Sequence, residues 1–178
     1  FLSDVNEFRQ ETIYRLFTAL QLVLSGRSIT SELKDNIKST PMFDDPNKNP
    51  RIQAITPIID DYFREQIKCI IFCKYTHEIE DLCVVMKQKF GADSCVLFYG
   101  NMSLKERNKA IKKFETTSNF MIANKNCAGF GLNLQFCNRI IYYSNDWNYA
   151  TRVQSEDRCH RIGQNDDVII TDIVAWNK

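Results

Sequence analysis

Apolar residues recur at three- and four-residue steps through 5–25, at Phe8, Ile13, Leu16, Phe17, Leu20 and Val23/Leu24, and this spacing predicts an amphipathic helix that Gly26 stops. The chain then turns polar over 27–50. Pro41, Pro46 and Pro50, with the turn-forming Asp44-Asp45-Pro46-Asn47, predict a connector laid over the surface there. Helical spacing returns at 51–66 with Ile52, Ile55, Ile58, Ile59 and Phe63, and Pro57 marks either a kink in that helix or its true first turn.

From residue 69 the pattern alternates. Cys69-Ile-Ile-Phe-Cys73 is wholly apolar, as expected of a strand covered on both faces of a parallel sheet. A helix follows at 76–90, with Ile79, Leu82, Val85 and Met86 on one face, and then a strand at 94–99. Ser103-Leu-Lys-Glu106 has capping-box spacing and opens a helix to 114 whose inward residues are Ala110, Ile111 and Phe114. Further strands are expected at 119–123, 139–143 and 168–174. The alternation predicts an α/β fold, a doubly wound and mostly parallel sheet with helices on both faces. Ligands of such sheets collect at the carboxyl ends of the strands, so the segments that leave them are where chemistry is to be sought.

Composition narrows the class. With 178 residues, 44% hydrophobic and 25% charged, the chain suits one globular domain that buries its own core. Lys+Arg 23 against Asp+Glu 22 leaves a net charge of +1, so any nucleic-acid surface must be local rather than global. The seven cysteines form no Cys-x-x-Cys pair, which points to reduced thiols of an intracellular protein and to no metal site. No apolar run approaches the ~18 residues of a membrane span, and no leader pattern opens the chain, so no membrane partner is expected. The first residue is Phe1 rather than Met, and the expectation is a piece of a longer protein.

The most specific stretch is Gln154-Ser-Glu-Asp-Arg158-Cys-His-Arg161-Ile-Gly-Gln164. On a helix, Arg158 and Arg161 would share a face, with Gln154 one turn before Arg158. Two permanently charged guanidinium groups beside a neutral amide suit a phosphate whose charge spreads over its oxygens during transfer. Taken alone, such a charged run, offset by Glu156 and Asp157, also reads as a solvated helix end. The full string, however, closely resembles the last motif of the Swi/Snf-type ATPases, helicase-like DNA translocases of superfamily two.

Three other segments resemble blocks of that family, in the same order. Tyr99-Gly-Asn-Met-Ser-Leu-Lys-Glu-Arg107 resembles an Asp-Gly-Ser-x-Ser-x-x-x-Arg block, with Tyr99 and Asn101 as departures and Arg107 kept. The run from Ala123 to Leu134 resembles a Ser-Thr-Arg-Ala-Gly-Gly-Leu-Gly-Ile-Asn-Leu block, retaining Gly129, Gly131, Asn133 and Leu134; Asn126 stands where a basic residue is usual, with Lys125 beside it. Ser144-Asn-Asp-Trp147-Asn148 resembles an Asp-Ser-Asp-Trp-Asn-Pro block, with Tyr149 in place of the proline. Away from the family, Trp147 reads rather as a core residue, and Lys74 with Thr76 as an ordinary helix start.

The resemblance runs from about residue 51 to 174 and implies the second RecA-like lobe, 51–178, with 1–50 as a helix and Pro-containing connector from the first lobe. A Gly-x-x-x-x-Gly-Lys-Ser/Thr loop and an Asp-Glu-x-His motif, which the family carries on that first lobe, occur nowhere in the chain. ATP and Mg2+ are thus expected mainly on the first lobe. The resemblance gives Arg158 and Arg161 the part of arginine fingers, Gln154 the placing of water or sensing of the γ-phosphate, and Gly129 and Gly131 the lining of the nucleotide cleft by close backbone approach. It assigns Arg107, Lys125 and Trp147 to double-stranded DNA, and Lys74, leaving the first apolar strand, is expected to meet the phosphates beside them. The expected partners are that DNA and the first lobe; the fragment alone is expected to be inactive, and its oligomeric state is left open. The protein would be cytoplasmic if bacterial, phage or viral, and nuclear if eukaryotic. Rival readings are a nucleic-acid-binding or docking RecA-like module without catalysis, and an RNA helicase, whose last motif carries Gly where this chain has Asp157. His160 is read as a structural residue of the motif, since the other histidine, His77, lies on another element.

Overall fold

In a computed structural model the described residues are 2–33, 36–100, 102–124, 134–145, 148–160 and 166–176. In chain order they form α1 (Leu2–Leu24), β1 (Arg27–Leu33), β2 (Asn36–Pro41), a 3-10 turn (Pro46–Lys48), α2 (Pro50–Arg64), β3 (Cys69–Cys73), α3 (Thr76–Phe90), β4 (Cys95–Phe98), α4 (Leu104–Thr116), β5 (Phe120–Asn124), β6 (Arg139–Tyr142), α5 (Tyr149–Glu156) and β7 (Ile169–Asp172).

The last five strands make one sheet in the order β4-β5-β3-β6-β7, and every ladder in it is parallel. Strand β3 lies at the centre, with Cys69 opposite Phe120 on one side and Arg139 on the other. All of its residues are buried because both faces are covered. On one face Cys69, Ile71 and Cys73 pack under Ile52, Ile55 and Ile59 of α2 and Ile79, Leu82 and Met86 of α3. On the other, Ile70 and Phe72 meet Ala110 and Phe114 of α4, together with Leu134, Cys137 and Cys159. Each fully buried Ile or Phe in these layers contributes about 2 kcal/mol of transfer free energy. The predicted two-faced α/β fold is present, and its sheet is parallel throughout.

The helix starts show why each helix begins where it does. Asn49 caps α2, its side-chain oxygen accepting from the Arg51 N–H at 3.0 Å, and Pro50 takes the first helical position, where a missing N–H costs nothing. Pro57 therefore lies well inside α2 rather than at its first turn. Ser103 and Glu106 close a capping box on α4, with the Ser103 N–H donating to the Glu106 carboxylate at 2.8 Å. For α3 the cap position is Tyr75, not Thr76, and the Glu78 carboxylate accepts the Tyr75 N–H at 3.1 Å.

The stretch expected to be a bare connector is in part a β-hairpin. Strands β1 and β2 pair antiparallel from Arg27 opposite Pro41 to Leu33 opposite Asn36. Polar residues dominate both strands, so no apolar alternation announced them; the β-branched Ile29, Thr30, Ile37 and Thr40 favour extended backbone all the same. Gly26 makes the turn from α1 into β1 at φ +83°, and a Cβ there would stand 2.5 Å from the Asn49 amide nitrogen. That amide also donates to the Ser25 carbonyl at 3.1 Å, so one asparagine both caps α2 and ties the end of α1 to it.

Candidate functional site

The short helix α5 carries Gln154. Its start is capped by Asn148, whose side chain accepts from the Thr151 N–H at 3.1 Å. The helix ends at Glu156, so Arg158 does not extend its face as a longer helix would have required. It sits instead in the following turn, where Cys159 and His160 N–H groups both return to the Glu156 carbonyl at 3.0 Å. Burial explains the stop: Cys159 is inaccessible in the core with Cys137, and the Leu134 N–H donates to the Arg158 carbonyl at 3.2 Å. Gln154 is exposed, and Arg158 is half-buried. The Arg158 Nε is buried with no hydrogen-bond partner among the described residues. Leaving a buried guanidinium nitrogen unpaired is costly, so the position calls for an acceptor.

A second polar cluster gathers at the carboxyl ends of β3 and β6. Glu78, buried at the start of α3, accepts hydrogen bonds from the Ser144 hydroxyl and the Tyr75 N–H. Its other carboxylate oxygen lies 3.6 Å from the Arg51 guanidinium, which in turn stands over the Tyr143 ring. Burial raises the Glu78 pKa above the ordinary carboxylate range, opposed by the hydrogen bonds of Ser144 and Tyr75 and by Arg51. The Ser144 hydroxyl oxygen also accepts the Lys74 N–H at 2.7 Å. Beside this cluster a cavity of about 420 Å³ opens between α1 and the strand ends, walled by Phe17, Leu20 and Leu24 on one side and Ile173 and Val174 on the other.

Two of the basic residues expected on DNA, Lys74 and Arg107, are held within the fold. The Lys74 ammonium donates to the Gln21 side chain of α1, lies 5.1 Å from the Tyr75 ring centre, and its carbonyl accepts from Asn124 at 3.0 Å. Lys74 is thereby placed next to the end of β5, where the glycine-containing segment begins. Arg107 turns back on its own loop, donating to the Gly100 carbonyl at 2.7 Å with its guanidinium 5.9 Å from the Phe98 ring centre. Lys125, Gly129, Gly131, Trp147 and Arg161 lie outside the described residues. Sequence reasoning missed Glu78 and Arg51, because a buried carboxylate and its cation at the starts of two helices look like ordinary helix-end charges.

His77 lies beside the cluster, its Nε2 3.1 Å from the Ser25 hydroxyl and its ring stacked on Tyr75. Burial, with the nearby Arg27 charge, pulls its pKa down to about 4, so the imidazole is neutral at physiological pH. Among the described residues no helix is long and apolar enough to cross a membrane.

A five-stranded parallel sheet with helices on both faces, and an arginine turn following its fourth strand in sequence, defines a RecA-like lobe. Residues 51–163 match the helicase conserved C-terminal domain, and the chain belongs to that family, in its Swi/Snf-type branch. An uncharacterised ATP-dependent helicase of Mycoplasma genitalium is 30% identical over 97% of this chain, which spans 16% of that relative's length. The lymphoid-specific helicase of Homo sapiens is 38% identical over 44% of the chain and 10% of its own length. Among solved structures, the C-terminal part of the Fun30 ATPase domain superposes with a TM-score of 0.67 at 26% identity, covering 73% of this chain and 42% of that one. The Sulfolobus solfataricus SWI2/SNF2 ATPase core in complex with dsDNA matches with a TM-score of 0.67 at 25% identity, over 91% of this chain and 32% of that one.

Proposed function

We propose that this chain is the second lobe of a DNA-dependent ATPase that moves on duplex DNA, and that Arg158 and Arg161 complete its hydrolysis site from across the cleft. The observation that carries this reading is the buried Nε of Arg158, in the turn after α5, which has no hydrogen-bond partner among the described residues. Residues 51–178 form the lobe, and 1–50 join it to the first. ATP with Mg2+, held mainly by the first lobe, would supply the transferable phosphoryl group and neutralise part of its charge.

On this chain, Arg158 and Arg161 donate to the oxygens of the transferring group, where positive charge is worth most as negative charge spreads. Gln154, exposed one turn before Arg158, orients water or reads the γ-phosphate. Gly129 and Gly131 line the cleft, allowing main-chain approach. Lys74, Arg107 and Lys125 meet the phosphates of the DNA, with Trp147 near the groove. At Lys74 and Arg107, phosphate oxygens would replace the Gln21 side chain and the Gly100 carbonyl as acceptors.

Arg158→Ala in the full-length protein separates the possible functions. An ATPase lobe loses DNA-stimulated turnover and keeps its DNA affinity. A nucleic-acid-binding module loses affinity instead, and a docking lobe loses neither; either of those results rejects the proposal.

A further inference from the structure

The helix that delivers Gln154 and leads into Arg158 has an unusual inward stripe. On α5 the residues that face the protein are Arg152, Ser155 and Glu156, followed by Cys159 one turn on, whereas amphipathic helices commonly bury Leu, Ile or Val there. Polar contacts hold it in place of apolar burial. The Arg152 guanidinium makes a bidentate pair with Asp172 at the end of β7, at 2.8 and 2.9 Å. Its Nε donates to Glu156 at 2.8 Å, and its Cζ lies over the Tyr142 ring, 4.2 Å from the ring centre. Beneath it the Tyr142 hydroxyl is 2.6 Å from Ser155 Oγ, and Asn145 donates to the same Asp172 carboxylate at 2.7 Å.

These contacts join three elements at one side chain. Strand β6 contributes the ring, β7 the carboxylate, and α5 the arginine. A planar fork stacked on a ring and clamped to a carboxylate fixes both the height and the rotation of the helix that bears it, which a flexible ammonium could not do. The rotation matters because Gln154 stands exposed on this short helix and Arg158 lies in the turn that ends it.

We propose that Arg152 is a positioning residue for hydrolysis: clamped between Tyr142 and Asp172, it sets the rotation of α5 and so the place where Gln154 and Arg158 meet the nucleotide. The inference rests on the proposed ATPase function. It assigns a role to Asp172 as well, at the end of the edge strand β7 and outside the arginine motif.

The test uses DNA-stimulated ATP hydrolysis by the full-length protein, with kcat, KM for ATP and DNA affinity measured separately. Arg152→Ala is expected to lower kcat by about tenfold or more, as misplacement of catalytic groups does, while KM and DNA affinity stay within about twofold. Arg152→Lys keeps the charge without the fork and is expected to recover only part of the rate. Because the two groups act as one clamp, Arg152→Ala combined with Asp172→Asn should be no slower than Arg152→Ala alone. Thermal unfolding of each variant identifies those that lose rate only by failing to fold. If a folded Arg152→Ala protein keeps the wild-type kcat while Arg158→Ala is inactive, the positioning role is wrong and the ATPase reading stands. A fall in kcat, DNA affinity and melting temperature together, fully restored by Arg152→Lys, also overturns it, leaving a structural ion pair. If Arg158→Ala is as active as wild type, both readings fall.

Discussion

His77 and Glu78 are adjacent in sequence and are perturbed by the same burial in different ways. The His77 pKa is held near 4 in the folded chain against an ordinary 6.5, so the unfolded chain binds a proton that the folded one refuses as pH falls between those values. His77 therefore favours the fold above pH 6.5 and costs stability progressively down to about 4. His77→Gln should flatten the pH dependence of unfolding in that window, as read by urea denaturation at several pH values; an unchanged slope would remove His77 as its cause. Glu78 is different, because its loss leaves the Arg51 cation, the Ser144 hydroxyl and the Tyr75 N–H without their carboxylate. Glu78→Ala should destabilise the chain by about 3 kcal/mol, the usual cost of breaking a buried ionic cluster. A loss under about 1 kcal/mol in the same denaturation experiment would show that Arg51 and Ser144 find other partners. At this scale the sequence was a partial guide. The string around Arg158 pointed to the family because its order is specific, but Arg152, Asp172 and Glu78 carry no such signature. Their importance depends on which strand end stands beside which helix.

The elements themselves were legible wherever burial wrote a period into the chain. The run Cys69–Cys73, the helix Thr76–Phe90 and the Ser103/Glu106 cap stand as the spacing predicted. Two elements departed from it for physical reasons. The β1–β2 hairpin has too few apolar residues to show alternation, and α5 ends at Glu156 because Cys159 is drawn into the core. Caps give direct tests at this scale. Ser103→Ala should cost about 1 kcal/mol by removing the acceptor for the Glu106 N–H. Gly26→Ala should cost about 2 kcal/mol, since it combines a positive φ with a Cβ pressed against the Asn49 amide. If chemical denaturation finds Gly26→Ala neutral, the junction between α1 and α2 is looser than this packing requires.

At the scale of the whole chain, a net charge of +1 means that the proposed DNA affinity would have to come from a few local cations rather than from the overall field. Binding should be weak for this lobe alone, indifferent to base sequence and sensitive to salt. With about three phosphate contacts the slope of log affinity against log salt should be about −3. Fluorescence anisotropy with duplexes of unrelated sequence checks this, and a marked sequence preference would contradict phosphate-only contact. The fold class was readable because the central strands are short apolar runs and α3 and α4 between them carry clear spacing. The proposed function makes the chemistry of these residues a property of two lobes, of which this chain would provide one. The most direct test of that claim is therefore DNA-stimulated ATP hydrolysis by this lobe mixed with the first, comparing wild type with Arg161→Ala. Turnover that appears only in the mixture and falls about a thousandfold with the substitution is the predicted result. Undiminished turnover with Arg161→Ala would contradict it.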